Sequence, residues 1–286
     1  MRVVRADVLG MCFGVRDALA VIEAVKSPGD VAIHGQLVHN PLVSLRLQAK
    51  GFTVPEGNTR PDLPDQPVVL ITAHGVSDAE RQRLISAGKT LIDTTCPLVR
   101  RAHQAAVKLG DQGYHVVVIG RKAHVEVLGL TGDLTSFDVV ESIDQVQRYP
   151  HTRIGIICQT TFAERVATLI IDSIVRSNPQ AQVRCVDTIC APTKDHQRSL
   201  VQLISKVDAM VVVGGNHSNN TRELTSLCRE HGIPTCQVET AGDLDLGWLA
   251  TFETVGLTAG TSALDATIDE VEQALWAVEA FERAMR

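Results

Sequence analysis

Three short runs of consecutive apolar residues recur along the chain: Val31-Ala32-Ile33, Val116-Val117-Val118-Ile119 and Met210-Val211-Val212-Val213. Apolar runs of this length, without alternation, suit parallel strands covered on both faces. Each follows a cysteine by about 20 residues, and the three cysteines sit in matching settings. Cys12 lies between Val8-Leu9-Gly10-Met11 and a stretch with helical spacing from Arg16 to Val25. Cys96 lies between Leu91-Ile92-Asp93-Thr94-Thr95 and such a stretch from Val99 to Leu109. Cys190 lies between Val186-Asp187-Thr188-Ile189 and one from Lys194 to Val207. Polar residues keep the same phase, with His39, His124 and Ser218 standing 27, 28 and 28 residues after their cysteines. Further on, strand-like segments run into small polar loops that open helices. These loops are Thr72-Ala73-His74-Gly75-Val76-Ser77, Cys158-Gln159-Thr160-Thr161 and Thr258-Ala259-Gly260-Thr261-Ser262.

The pattern predicts three α/β units with boundaries at 13–95, 96–188, and 1–12 together with 189–286. Each would present strand C-terminal ends and helix N-termini to a common point, where open α/β sheets place ligands and helix N-termini favour anions. The stretch from Ile268 to Arg286 reads as an amphipathic helix with Val271, Ala274, Leu275 and Val278 on one side. It is expected to pack on the third unit and close it with the N-terminal strand.

Composition then removes several classes of function. The 286 residues are 44% hydrophobic and 21% charged, a globular balance. With 27 Lys+Arg against 33 Asp+Glu the net charge is −6, and aromatics are 3%. Neither a basic nucleic-acid face nor a stacking platform for single strands is expected. No apolar run approaches a membrane span, and no secretory signal is read at the N-terminus, so a cytoplasmic protein is expected. In that reducing compartment the seven cysteines do not read as a disulfide framework. Cys158, Cys185, Cys228 and Cys236 are expected to be buried, apolar-like residues. Cys12, Cys96 and Cys190, in repeated positions, are candidates to hold a metal.

Three thiolates without a fourth are informative. Structural zinc closes with four ligands, commonly in Cys-x-x-Cys pairs, and the chain has no such pair. An iron–sulfur cluster also takes four as a rule; with three, one iron keeps an open position and acts as a Lewis acid. Around the same strand ends lie His39, His74, His124, Thr160, Ser218, Asn219, Asn220 and Ser262. Imidazoles, hydroxyls and amides near helix N-termini suit a phosphate or diphosphate without a Lys/Arg pocket. An isolated glutamate is by default a solvated surface group. Glu126 stands out because it is two residues from His124, where a buried carboxyl with a raised pKa could hand over protons. No Walker loop or Gly-x-Gly-x-x-Gly turn is present, so reducing power would arrive through a metal centre.

These residues carry a resemblance. Gly10-Met11-Cys12-Phe13-Gly14-Val15, Val38-His39-Asn40, Ala73-His74-Gly75-Val76-Ser77 and Asp93-Thr94-Thr95-Cys96-Pro97-Leu98-Val99 belong to it. So do His124-Val125-Glu126-Val127-Leu128-Gly129, Gln159-Thr160-Thr161, Asp187-Thr188-Ile189-Cys190, Ser218-Asn219-Asn220-Thr221 and Thr258-Ala259-Gly260-Thr261-Ser262-Ala263. In this order and spacing the chain resembles the 4-hydroxy-3-methylbut-2-enyl diphosphate reductases, also called IspH or LytB. The resemblance implies a trefoil of three pseudo-threefold-related α/β domains with small, mostly parallel sheets around a central iron–sulfur cluster. It implies a 4Fe-4S cluster held by Cys12, Cys96 and Cys190, whose open iron takes the allylic hydroxyl. It gives His39, His74, His124, Thr160, Ser218, Asn219, Asn220 and Ser262 to the substrate and its diphosphate. Glu126, with His124 and Thr160, would deliver protons.

The implied reaction is reductive dehydroxylation to isopentenyl and dimethylallyl diphosphate, at the end of the non-mevalonate isoprenoid pathway, with electrons from a ferredoxin or flavodoxin. The chain departs from the family at Asn219, commonly serine, and at Val125, commonly proline. It departs again in Ala191-Pro192-Thr193-Lys194-Asp195-His196 and in lacking an aromatic before Cys12. Two other readings stay open on the residues. One is a family member that keeps the cluster but reduces another hydroxylated substrate. The other is a non-catalytic protein that senses metal or redox state.

Overall fold

The three apolar runs are strands: those at 116–119 and 210–213 lie inside four-stranded sheets, and that at 31–33 ends a three-stranded one. The computed structural model describes residues 1–55, 60 and 63–285, with 278–285 described by backbone alone. Its strands are β1 (Arg2–Arg5), β2 (Val31–His34), β3 (Val68–Ile71), β4 (Thr90–Asp93), β5 (His115–Ile119), β6 (Phe137–Val140), β7 (Arg153–Cys158), β8 (Gln182–Cys185), β9 (Ala209–Val213), β10 (Thr235–Val238) and β11 (Thr254–Ala259). Its α-helices are α1 (Phe13–Glu23), α2 (Pro41–Ala49), α3 (Asp78–Ser86), α4 (Pro97–Asp111), α5 (Val125–Thr131), α6 (Glu164–Ser177), α7 (Ala191–Ile204), α8 (Asn219–Glu230), α9 (Leu246–Leu249) and α10 (Asp265–Met285). Residue contacts gather these into two units. One comprises Met1–Phe13, His39–Pro41 and Ala191–Arg286; the other comprises Gly14–Val38 and Leu42–Cys190.

The first unit holds one sheet in the order β1-β11-β9-β10, and the second holds two, β2-β3-β4 and β6-β5-β7-β8. Every pairing in all three is parallel. The three orders are one plan. β2, β5 and β9 are equivalent, as are β3, β7 and β11, and as are β4, β8 and β1. Beside β2, where the other sheets carry β6 or β10, a single parallel bridge joins Ala32 to Thr53. A parallel sheet needs cover on both faces, and the alternating side chains of the central strands supply it. In the first unit Val211, Val213 and Leu257 pack with Val271 and Leu275, while Met210 and Val212 pack on the other face with Leu200, Leu203 and Leu224. In the second, Val117, Ile154 and Ile156 meet Ile170 and Ile174, and Val116 and Val118 meet Ala102, Ala106 and Leu109. Each such aliphatic side chain contributes roughly 1.5–3 kcal/mol of burial.

The C-terminal helix behaves as its pattern predicts. In α10, Val271 and Leu275 are fully buried against the first unit's sheet. β1 pairs with β11, and Arg5 Nη1 donates to Glu272 Oε2 at 2.8 Å, joining the N-terminal strand to α10. The Val278 side chain lies outside the described residues. The helices after the cysteines begin earlier than the apolar spacing alone suggests: α1, α4 and α7 each start on the next residue. Spacing registers only the buried face, whereas Pro97 at the first helical position marks the true start of α4. Among the described residues no helix is long and apolar enough to cross a membrane.

Candidate functional site

The repeat continues past the strand ends, down to single hydrogen bonds. The Cys96 N–H donates to Ala73 O at 3.1 Å, Cys190 N–H to Thr160 O at 2.9 Å, and Cys12 N–H to Thr261 O at 3.1 Å. The three acceptors are equivalent, each being the second residue beyond β3, β7 or β11. The loops holding them close alike, with Gly75 N–H donating to Thr72 O, Phe162 to Gln159 O and Ala263 to Gly260 O. His39, His124 and Ser218 each stand five residues beyond the end of β2, β5 or β9. His124 and Ser218 are helix N-caps: their side chains accept the N–H of Glu126 in α5 and of Thr221 in α8. Each cysteine directly precedes a helix start.

In the second unit lie His74, Cys96, His124, Glu126, Thr160 and Cys190. Glu126 is not on the surface, where an isolated glutamate belongs by default; it is 2% exposed. Its Oε1 accepts the Thr160 N–H at 2.6 Å. Burial raises its pKa from 4.5 to about 7, against the pull of the bonds from the Thr160 backbone and hydroxyl. The carboxyl is therefore poised between its two forms near neutral pH, as a proton donor must be. His124 Nδ1 accepts the Glu126 N–H at 3.1 Å, so the neutral ring carries its proton on Nε2. The His74 and His124 rings meet edge to face with centroids 5.6 Å apart. A cleft of about 120 Å³ lined by His74, Thr95, His103, Gln104 and Glu126, among others, has room for water beside the carboxyl.

In the first unit lie Cys12, His39, Ser218, Asn219, Asn220 and Ser262. Apart from Cys12, which is half-buried, all are buried. Asn220 Oδ1 accepts the Thr261 N–H at 3.0 Å, and its Nδ2 is buried without a partner. Thr221 Oγ1 and Thr258 Oγ1 are orphaned in the same way. Buried polar atoms left unpaired are costly unless a ligand takes them up. Ser262 Oγ donates to His39 O at 3.3 Å, and Asn40 Nδ2 to Ser262 O at 2.7 Å. Burial, with His217 nearby, lowers the pKa of His39 to about 4.

None of the seven cysteines forms a disulfide. Cys158 and Cys228 are buried as expected, Cys236 is half-buried, and burial pushes the Cys228 thiol up to about 12 and that of Cys236 to about 11. Cys185 departs from the expectation: it is exposed, because β8 is an edge strand. One residue of the second unit gave no signal in the sequence pattern: Arg60, in a Pro- and Gly-rich stretch, whose Nη2 donates to Gly75 O at 2.6 Å and to Val125 O at 3.3 Å.

Residues 3–276 match the family model described as LytB protein. The chain belongs to the LytB family. Among curated LytB proteins it is similar to the 4-hydroxy-3-methylbut-2-enyl diphosphate reductase of Aquifex aeolicus, with 33% identity over 277 residues and 94% of each chain covered. Its similarity to the enzyme of that name from Dehalococcoides mccartyi is 36% over 284 residues, covering 95% of this chain and 96% of the other. Among solved structures, the E-1-hydroxy-2-methyl-but-2-enyl-4-diphosphate reductase of Plasmodium falciparum matches with a TM-score of 0.86 and 25% identity. That match covers 95% of this chain and 87% of the other. The structure of (E)-4-hydroxy-3-methyl-but-2-enyl diphosphate reductase, described as the terminal enzyme of the non-mevalonate pathway, matches at 0.68 with 32% identity, covering 97% of this chain and all of that one.

LytB proteins are iron–sulfur-dependent oxidoreductases, and the donors present fit such a group. Cys12, Cys96 and Cys190 are half-buried thiols at helix starts, with their amides already bonded to loop carbonyls. Gly14, two residues after Cys12, leaves Cys96 the room its sulfur occupies, since a Cβ there would stand 2.6 Å from Cys96 Sγ. Soft thiolates are the ligands such iron takes.

Proposed function

We propose that this chain is a 4-hydroxy-3-methylbut-2-enyl diphosphate reductase, removing the allylic hydroxyl to give isopentenyl and dimethylallyl diphosphate. The observation that carries the reading is the buried Glu126 carboxyl, held on the Thr160 N–H beside the His124 cap and poised near neutral pH. Cys12, Cys96 and Cys190 would hold the iron–sulfur group. Bound as a 4Fe-4S cluster with one open iron, it supplies electrons and a Lewis acid. The balance is two electrons and two protons in, one C–O bond broken, one C–H bond formed and water released. His39, His74, His124, Thr160, Ser218, Asn219, Asn220 and Ser262 bind and orient the diphosphate and the carbon chain. His124 offers Nε2–H to an oxyanion, and the orphaned Asn220 Nδ2 offers a second donor. Glu126 delivers the protons, and the adjacent cleft provides water to restore them.

A ferredoxin or flavodoxin supplies the electrons, and the protein works in the cytoplasm. The repeat boundaries 13–95, 96–188, and 1–12 with 189–286 delimit its units; in support, each set contains the strands of one sheet. The test is anaerobic purification, with iron and sulfide counted and the absorption spectrum taken before and after adding the allylic diphosphate. About three to four irons per chain, a spectrum perturbed by the ligand, and turnover are expected. A cluster indifferent to the ligand would point instead to another hydroxylated substrate. Protein that takes up no iron after anaerobic reconstitution would end the reductase reading.

A further inference from the structure

Arg60 is a half-buried cation that, among the described residues, forms no ion pair with a carboxylate. Its Nη2 spends both hydrogens on carbonyl oxygens, at 2.6 Å on Gly75 and 3.3 Å on Val125. Gly75 follows His74, and Val125 lies between His124 and Glu126. The arginine stem packs against Gly35, where a Cβ would meet Arg60 Cγ at 3.6 Å. The Nε–H is buried without a partner. Among the described residues, Glu80 is the carboxylate close enough to support the charge. Its oxygens, however, are held by the Arg83 guanidinium at 2.7 and 2.9 Å and by His34 Nε2 at 2.9 Å. A guanidinium does not escape its cost by deprotonating. A charge partly withdrawn from water is costly, and so is an orphaned, fully buried N–H on the same group.

Both costs are relieved by one class of ligand. An oxyanion with several oxygens matches the guanidinium fork and its charge together. We propose that Arg60 is an anion-binding and positioning residue of this site. It ties the His74 loop to the first turn of α5, and its charge and Nε–H are taken up by the diphosphate of the substrate. The identity of the anion rests on the reductase reading; the charge balance does not.

The test is calorimetric titration of inorganic diphosphate into anaerobic holoprotein: wild type, Arg60→Gln and Arg60→Lys. Arg60→Gln is expected to bind roughly ten- to a hundredfold more weakly, with a shallower loss of affinity on adding salt and with iron, sulfide and visible spectrum unchanged. Arg60→Lys keeps the charge but not the fork, and should fall between the two. Should Arg60→Gln fail to fold, judged by iron content, Arg60→Lys decides, since affinity equal to wild type in the lysine variant overturns the proposal. Diphosphate affinity in Arg60→Gln within about twofold of wild type overturns it as well. If that happens while wild type still reduces the allylic diphosphate, this inference alone falls. If wild type neither binds diphosphate nor turns over, the reductase reading falls with it.

Discussion

Replacing Glu126 by Gln tests the buried carboxyl through stability as well as through activity. The group titrates near 4.5 when unfolded and near 7 in the fold, with burial as the main cause. Between those values the folded protein binds the proton more tightly than the unfolded chain, so stability falls as pH rises through the window. At about 1.4 kcal/mol per pH unit, ionising this one group costs about 3 kcal/mol once pH exceeds 7. Glutamine carries no such cost, and its Oε1 can still accept the Thr160 N–H. The variant should match wild type near pH 4.5 and exceed it by about 3 kcal/mol at about pH 8. Denaturant unfolding of both anaerobic holoproteins, compared at each pH between about 5 and 8, isolates this group because other titrations cancel. A difference that does not grow with pH refutes the reasoning. The same variant should keep its iron and sulfide and lose nearly all reductase turnover; turnover close to wild type would remove Glu126 from proton delivery.

Serine at Cys12, Cys96 or Cys190 should abolish iron binding, whereas Cys236→Ala should leave iron content and visible absorption unchanged; iron counts after anaerobic reconstitution decide this. Gly14→Ala places a methyl 2.6 Å from Cys96 Sγ, so it should lower iron content while the far-ultraviolet circular dichroism stays that of wild type. Asn220→Ala should weaken diphosphate binding by roughly tenfold, the value of one good donor, as read by calorimetry. His39 is neutral at pH 7, with a pKa of about 4. Diphosphate placed against it should draw in up to about one proton, seen as a dependence of binding heat on the buffer's ionisation enthalpy, and heats alike in all buffers would mean the ring stays neutral.

The fold was legible because its signals are local. Val116–Ile119 and Met210–Val213 read as covered parallel strands since no polar residue interrupts them, and the cysteine spacing fixed their phase. What lies beyond the strands was only half legible. Glu126 drew attention by its nearness to His124, but nothing in the sequence separates a buried glutamate from a solvated one; burial comes from the Thr160 loop, 34 residues away. Cys185 misled for a related reason. A cysteine after Gln182-Val183-Arg184 reads as a core residue, yet β8 is an edge strand, and edge position is decided by pairing with β7. Arg60 was silent because it lies in a Pro- and Gly-rich sequence without periodicity, and its two partners are backbone carbonyls, which any residue offers.

The repeat itself explains why a carboxyl stands at position 126. Glu126 is two residues after His124, and Asn220 is two residues after Ser218. Glu126 Oε1 accepts the Thr160 N–H, and Asn220 Oδ1 accepts the Thr261 N–H, each at the second residue beyond the neighbouring strand. The two side chains fill the same slot in the same frame. In the first repeat that position is Pro41, which begins α2 and offers no side-chain acceptor. An amide thus meets the structural need of the slot at no cost in ionisation, as Asn220 does. A carboxyl meets it while adding about 3 kcal/mol of instability at alkaline pH. Packing cannot account for that choice, because the chain itself contains the cheaper solution. What the carboxyl alone provides is a proton held in a buried site and released near neutral pH. The threefold frame is therefore spent unevenly: all three repeats present a cysteine amide to an equivalent carbonyl, and one carries the exchangeable proton. On the proposed function, that asymmetry is what would let a repeat of three cysteines act on a single hydroxyl.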